Sequence, residues 1–286
     1  MKSKFSNGGI AFAAGLLAGW LFSSVAASGQ GSTSSPTSNP LTQMDGRQVN
    51  DQVTEAYLKQ NLGDPKEEAA YQAFHKTTEQ SANKKIRLGN AFLEKYPSDR
   101  YSQVVYEELT QTYYDNKDLT NFYSYSDKGL TLFPDDVHML ALRGWVIPRA
   151  FTADEPGADK KLDTAEADER HALDVIGKME KPASLTDQQF AQFKSDESAV
   201  AHSGLGLVYF RKEQYGESAK ELQNAIQTEA NPDPTDIFIL GADFENLSRF
   251  KEAADAFSRC AQMAGIMQDR CKQYASTAQK QAAQAK

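Results

Sequence analysis

The sequence contains few cysteines and little positive charge for its length. Only 2 of its 286 residues are cysteine, which excludes a disulfide-dense scaffold and a four-cysteine zinc or iron–sulfur site. Lysine and arginine together number 31 against 39 aspartate and glutamate residues, and the formal net charge is -8. A chain this acidic has no overall electrostatic attraction to phosphate backbones, so we expect no nucleic-acid partner.

Recognisable catalytic and metal-binding motifs are also missing. None of the 4 histidines has metal-ligand spacing to another histidine or to a cysteine. There is no glycine loop for phosphate and no Gly-x-Ser-x-Gly motif, and Ser203 falls in the middle of a predicted helix. The densest polar segment, Glu166, Asp168, Glu169 and His171, is interpreted as a solvated helix face rather than a weak metal site. The sequence therefore predicts no enzyme activity, no metal and no cofactor.

Residues 1–27 have the features of an export segment. Lys2 and Lys4 precede the uncharged residues 8–27, whose apolar centre has the length of a signal-peptide core. The small residues at its end suit cleavage, but the whole stretch also fits an uncut membrane anchor with Gly15 and Gly19 facing another span. Either interpretation predicts export: the protein is periplasmic, or it is anchored in the inner membrane with its repeat array outside the cytoplasm. A flexible Gly/Ser/Thr/Pro linker is expected over residues 28–45.

The remainder of the chain is predicted to be helical and repeated. Helix formers dominate and apolar residues recur with helical spacing, while runs of alternating β-branched residues are nearly absent. Residues 199–232 and 234–267 repeat one another at a constant offset. The matching pairs are Leu205 with Leu240, Gly206 with Gly241, Tyr209 with Phe244, Tyr215 with Phe250, Ser218 with Ala253, Leu222 with Phe257, and Ala225 with Cys260.

The residue types in this repeat have a physical explanation. Gly206 and Gly241 carry no side chain, which lets the second helix of each pair approach closely. Leu222 and Phe257 then fill the space between the two helices. Because neither helix buries its apolar stripe alone, the pairs must stack on one another.

These residues resemble the tetratricopeptide repeat, in which Leu-Gly, an aromatic and alternating small and large residues recur over about 34 positions. The resemblance implies an all-α, helix-turn-helix repeat superhelix, a TPR-like α-solenoid, over residues 46–267 with a C-terminal capping helix over residues 268–286. Weaker copies start near Leu109 and Leu142, and the first copy is predicted to be mostly a second helix. A Pro/Gly-containing loop is expected over residues 148–159, and a long helix over residues 187–212 starting with a Thr186/Gln189 capping box.

The resemblance also implies that the first helices of the pairs line a concave, partner-binding surface. The residues predicted to face a protein or peptide there are Val104, Glu107, Gln111, Tyr114, Val200, Leu207, Phe210, Arg211, Phe238, Glu245 and Asn246. Tyr114, Phe210 and Phe238 are either exposed anchors in this groove or packing residues between repeats. The Lys and Asn clamp by which some relatives hold carboxyl-terminal peptides is absent from the corresponding positions.

Cys260 and Cys271 are equidistant from the predicted turn near Gly265 and should face each other across a helical hairpin. They form either a disulfide, which an exported protein permits, or a pair of buried thiols.

The sequence thus predicts a non-enzymatic interaction scaffold of the bacterial cell envelope. A self-associating structural component of an envelope complex is the alternative. An unrecognised enzyme or a binder of a small ligand near residues 148–159 is the third hypothesis.

Overall fold

The computed structural model describes residues 64–78, 81–182, 185–229 and 231–285. The predicted export segment (residues 1–27) and linker (residues 28–45) lie outside the described residues. Within the described part, no helix combines the length and hydropathy needed to cross a membrane.

The described residues form eleven helices and no strands, which confirms the all-α prediction. The helices are α1 (Pro65–His75), α2 (Ala82–Lys95), α3 (Ser102–Asp115), α4 (Leu119–Leu132), α5 (Val137–Arg149), α6 (Ala158–Lys178), α7 (Asp187–Arg211), α8 (Tyr215–Thr228), α9 (Pro234–Asn246), α10 (Phe250–Gln262) and α11 (Gln268–Gln284). The first ten form five consecutive helix-turn-helix pairs, and α11 packs on α10 after them.

The pairs stack in two layers. Each helix packs on the next one along the chain, and α3, α5, α7 and α9 also pack on one another in succession. The second helices of the pairs have no comparable contacts among themselves, and they pack mainly on first helices. We therefore call the surface formed by α3, α5, α7 and α9 the inner face of the array.

Close approach within the pairs depends on glycine, as predicted. A methyl carbon added to Gly206 would lie 2.5 Å from Cγ of Leu222, and one added to Gly241 would lie 2.7 Å from Cε1 of Phe257. Both distances are shorter than real carbon contacts, so any side chain at these positions would push the second helix away.

The turn inside three of the pairs uses the same backbone conformation without glycine. Lys117, Glu213 and Ser248 have φ values of 62°, 58° and 60°, and each lies between the two helices of its pair. This left-handed conformation costs an ordinary residue about 1 kcal/mol or more, and here it is imposed by the packing of the two helices that it joins.

Helix boundaries agree with the sequence in some places and correct it in others. The capping box of Thr186 and Gln189 opens α7 as predicted. The residues 148–159 are not all loop, because Pro148 and Arg149 complete α5. A proline near the end of a helix removes only one of its hydrogen bonds, and the burial of this turn compensates for that loss.

The first repeat is also more complete than predicted. It contains both helices, α1 and α2, because Tyr71 and Phe74 are almost fully buried and hold α1 on the array. The ring of Tyr71 lies 4.0 Å from that of Tyr101 and 6.5 Å from that of Phe92. Two aromatic residues in one short polar helix gave too weak a periodicity to be recognised as a first helix.

The hairpin of α10 and α11 contains the two cysteines. Cys260 and Cys271 are fully buried and joined in a disulfide, with their Cα atoms 5.7 Å apart. The hairpin geometry proposed from the sequence therefore brings the two side chains together.

Candidate functional site

Most residues predicted to line an open groove are buried. Val104, Val200, Leu207, Phe210 and Phe238 are each at most 8% exposed. The expectation of exposed aromatic anchors at Phe210 and Phe238 is therefore wrong. Both rings are packing residues instead: each contacts a ring on the second helix of its own pair, and Phe238 also contacts Tyr274 of α11.

The reason is that second helices and the terminal helix cover these rings. The ring of Phe238 lies 5.3 Å from that of Phe257 and 5.0 Å from that of Tyr274, so α9, α10 and α11 enclose it. The ring of Phe210 lies 5.9 Å from that of Tyr215. The spacing of residues along one helix identifies its inner face but does not reveal how closely the next helix approaches.

Two polar residues of the predicted groove are buried as well. Glu107 and Gln111 are 8% and 3% exposed. Gln103 donates from its amide to both Glu107 (3.3 Å) and Asp136 (3.0 Å), and burial together with the charge of Asp136 raises the pKa of Glu107 well above its usual range. The amide of Gln111 donates to Asp115 over 2.8 Å. Both predicted contact residues are therefore engaged in hydrogen bonds inside the protein.

Four of the predicted contact residues keep solvent-accessible surface: Tyr114, Arg211, Glu245 and Asn246. Glu245 is half-buried, bonded to Gln281 of α11, and its pKa is raised by burial. The amide of Asn246 donates to the carbonyl of Ala242 over 2.9 Å. Tyr114 and Arg211 lie beside a charged network that the sequence did not indicate.

This network, the Arg149 cluster, consists of Trp145, Arg149, Ser203, Asp233 and Asp236. The guanidinium of Arg149 lies 3.6 Å from the centre of the Trp145 ring and donates to Ser203 Oγ (3.0 Å) and Asp236 Oδ1 (3.2 Å). It is 3.6 Å from Asp233 Oδ2. One arginine thus links α5, α7 and the start of α9, and it fixes the relative placement of three repeats.

Burial shapes the electrostatics of the Arg149 cluster. Desolvation raises the pKa of Asp236 to about 7, against the lowering effect of Arg149. Desolvation and the neighbouring Asp236 and Asp233 raise the pKa of Glu229 to about 8. One buried cation therefore stands among three carboxyl groups, two of which are predominantly protonated below neutral pH.

The geometry of the Arg149 cluster is that of a structural ion-pair network and not of a catalytic site. Ser203 is 2% exposed, contacts Arg149 and Asp236, and lies in the middle of α7. No histidine is bonded to it to act as a base. Over the part of the chain that the structure describes, no group of three or more His, Cys, Asp or Glu side chains could hold a metal ion.

The polar segment of α6 is a solvated face only in part, because Asp168 and Glu169 are buried whereas Glu166 and His171 keep accessible surface. Asp168 accepts two hydrogen bonds from Arg143, at 2.6 and 2.7 Å, and is buried. Glu169 is fully buried, and neither of its carboxyl oxygens has a hydrogen-bond partner. It lies against Gly144 and Gly204, and desolvation raises its pKa well above the usual range.

The histidines pair with carboxylates on other elements. The pairs are His75 with Glu108 (2.6 Å), His138 with Glu197 (3.6 Å), His171 with Asp135 (2.7 Å) and His202 with Glu221 (2.7 Å). His202 is half-buried and joins α7 to α8 through Glu221.

The repeat-packing residues occupy the interfaces between helices. Leu205, Gly206, Tyr209, Ser218, Leu222, Ala225, Leu240, Gly241, Phe244, Ala253 and Phe257 are buried, and Tyr215 and Phe250 are half-buried. Ser218 does more than provide room, because its hydroxyl donates to the buried Asp243 over 2.6 Å. The sequence did not predict the burial of Arg149 and Glu169, because a single charged residue in an amphipathic helix does not reveal whether its side chain is buried.

Comparisons with known proteins found similar solved structures but no matching family model. No protein-family model matches the chain, and no curated protein matches it. The fold is a tetratricopeptide-like α-solenoid. This statement rests on the stacked helix pairs and their packing glycines described above.

Three solved structures of tetratricopeptide proteins are similar to the chain. A thermophilic TPR protein of Thermus thermophilus has a TM-score of 0.47 at 16% identity, with 69% of this chain and 90% of that one covered. The TPR domain of P58(IPK) has a TM-score of 0.32 at 12% identity, covering 75% and 65% of the two chains. A tetratricopeptide repeat protein of Parabacteroides merdae has a TM-score of 0.26 at 13% identity, covering 80% and 99%.

Proposed function

We propose that the chain is a non-enzymatic interaction scaffold of the bacterial cell envelope that binds another protein through the inner face of its array. Tyr114 is the proposed anchor for that partner. An export or anchor segment at residues 1–27 would bring the array out of the cytoplasm, and the buried disulfide supports this location because such bonds persist in oxidising compartments.

The observation that carries the proposal is the rigid setting of an accessible aromatic residue. The half-buried ring of Tyr114 lies 6.0 Å from that of Trp145 and 6.0 Å from that of Phe122. Trp145 is in turn held by Arg149 on its face. An aromatic side chain already fixed in place loses little conformational entropy on binding, and such residues dominate the affinity of protein interfaces.

The experiment is site-specific photocrosslinking in native envelopes. A photoreactive amino acid at Asn246, which is exposed at the inner face, should capture a partner of the full-length protein. The same group at Lys251, exposed on α10, is the positional control and should not capture it. Mass spectrometry of the crosslinked product then identifies the partner.

The role of Tyr114 is tested with a matched variant. Tyr114→Ala should reduce capture at Asn246 by tenfold or more, whereas Tyr123→Ala should not. Tyr123 is also half-buried and packs on Phe122, but it lies on α4, a second helix. Equal capture at Asn246 and Lys251, or equal loss in both tyrosine variants, would refute binding through the inner face. A crosslinked species containing only this chain would favour the self-associating alternative.

A further inference from the structure

The arginines of the array differ in how their charge is neutralised. Arg143 is paired with Asp168 at 2.6 Å, Arg149 with Asp236 at 3.2 Å, and Arg100 with Glu67 at 3.4 Å. These side chains are mostly buried and each has a carboxylate partner. Among the half-buried and buried arginines of the inner face, Arg211 is the exception.

Arg211 has only neutral contacts in the described part of the chain. Its Nε donates to the carbonyl of Pro148 over 3.0 Å, and its guanidinium carbon lies 5.6 Å from the centre of the Phe151 ring. Among the described residues, no carboxylate lies within ion-pair distance of Arg211, and its two terminal nitrogens make no hydrogen bond. The side chain is nevertheless half-buried at the end of α7.

The positive charge of Arg211 is not compensated by its surroundings. Burial and the nearby charge of Arg149 lower the pKa of Arg211 to about 10, so the surroundings oppose its charge instead of compensating for it. The hydrogen bond from Nε to Pro148 holds one edge of the guanidinium and leaves the two terminal nitrogens, which lie in one plane, without a partner among the described residues. A fixed guanidinium with free parallel donors matches the two oxygens of a carboxylate.

We propose that Arg211 is the anion-binding subsite of the inner face and receives a carboxylate of the bound peptide. This inference rests on the proposed function and assigns a chemical class to part of the partner. The carboxylate belongs to an acidic side chain or to the peptide terminus. Arg211 is not one of the positions that correspond to the Lys and Asn clamp of some tetratricopeptide relatives.

A carboxylate fits this subsite better than a phosphate group does. A phosphate carries up to two negative charges and is usually held by more than one cation. Arg149, the guanidinium whose charge acts on Arg211, already lies within ion-pair distance of Asp236 and Asp233. The net charge of -8 repels anions at long range, but salt screens that repulsion beyond about 8–10 Å and leaves the local contact intact.

The test is a titration followed by nuclear magnetic resonance at constant ionic strength. Three probes are used with the full-length protein: acetyl-Gly-Gly-Glu-amide, acetyl-Gly-Gly-Gln with a free carboxyl terminus, and the neutral acetyl-Gly-Gly-Gln-amide. The Nε–H resonance of Arg211 is assigned by its absence in Arg211→Lys. We expect a saturable shift of this resonance with at least one charged probe and none with the neutral probe.

The variants separate a specific site from general charge. Arg211→Gln should weaken binding of the charged probe by about tenfold or more, whereas Arg259→Gln, which removes an exposed charge on α10, should not. The probe that binds more tightly identifies a side-chain or a terminal carboxylate as the source. Equal shifts of the Arg211 and Arg259 resonances, or no saturable shift with either charged probe, would overturn the subsite.

The same variants distinguish this inference from the proposed function. If Arg211→Gln leaves partner capture at Asn246 unchanged while Tyr114→Ala abolishes it, the scaffold proposal stands and the carboxylate subsite is wrong. If Arg211→Gln weakens capture by about tenfold and Arg259→Gln does not, the inference is supported in the native complex.

Discussion

The buried carboxyl of Glu169 gives the sharpest test of how the central repeats pack. A methyl carbon added to Gly144 would lie 2.5 Å from Cδ of Glu169, and one added to Gly204 would overlap Oε1 of the same side chain. Glu169 thus occupies the space that two glycines on α5 and α7 leave open. We predict that Gly204→Ala destabilises the array only while Glu169 is present.

The expected magnitude follows from two opposing effects. Overpacking a filled interior costs about 1–3 kcal/mol, whereas replacing glycine with alanine inside a helix contributes about 1 kcal/mol of helix propensity. The variant Gly204→Ala should therefore lose up to about 2 kcal/mol in the wild-type background. In the Glu169→Ala background the clash disappears, and the same change should stabilise the protein by up to about 1 kcal/mol.

The assay is urea unfolding of the four members of this double-mutant cycle, followed by far-ultraviolet circular dichroism. The coupling energy between Gly204 and Glu169 should be about 1–3 kcal/mol. Gly216→Ala is the control, because nothing lies within 4 Å of a methyl carbon added there and its effect should be the same in both backgrounds. A coupling energy near zero for Gly204 would refute the placement of Glu169.

The ionisation of Glu169 gives the same interface a pH dependence. Burial raises the pKa of Glu169 in the folded state. The folded protein therefore retains a proton on Glu169 that the unfolded chain loses above about pH 4.3. The contribution of this proton to the free energy of unfolding is fully present below that pH. It decreases as the pH rises toward the pKa of Glu169 in the folded state, by up to about 1.4 kcal/mol per pH unit. Glu169→Gln cannot ionise and should remove this contribution, so its stability relative to wild type should increase with pH. An identical pH profile for both proteins would contradict the argument.

Three further predictions concern the last two repeats and the terminal helix. Ser218→Ala removes the 2.6 Å hydrogen bond to the buried Asp243 and should cost about 1–3 kcal/mol in urea unfolding, and a full-sized loss in an Asp243→Ala background would contradict this cause. Ser248→Gly relieves a left-handed residue with φ of 60° and should raise the unfolding free energy by up to about 1 kcal/mol, whereas a loss would show that the turn is not strained. Reducing the disulfide of Cys260 and Cys271 should cost about 3 kcal/mol and increase hydrogen exchange first in α11, and exchange that rises equally in all helices would refute a local clamp.

The repeat pattern was predictable because it consists of residue types at fixed, short separations along the chain. Gly206 and Gly241 are matched by Leu222 and Phe257 at fixed separations, and these separations follow from helix geometry alone. The capping box at Thr186 has the same local character, since all its atoms belong to one helical turn. Such features need no knowledge of distant segments.

The candidate site was predictable only in part. The sequence predicted contact residues on the first helices, and Tyr114 and Arg211 among them are accessible. It did not predict the burial of Phe210 and Phe238, because that burial depends on how closely second helices and the terminal helix approach them. The weak first helix α1 was missed for a related reason, since its aromatic contacts are made with α2 and α3.

The sequence by itself determined an all-α array of helix pairs, since helical periodicity and packing glycines act over one or two turns of chain. Only the tertiary structure decided where charge is buried. Arg149 reaches Asp236 across 87 positions of sequence, and Glu169 fills a space bounded by glycines on two other helices. Desolvation depends on all the atoms that surround a charged group. The pattern of one segment therefore predicts neither the Arg149 cluster nor the lack of a carboxylate partner for Arg211 among the described residues.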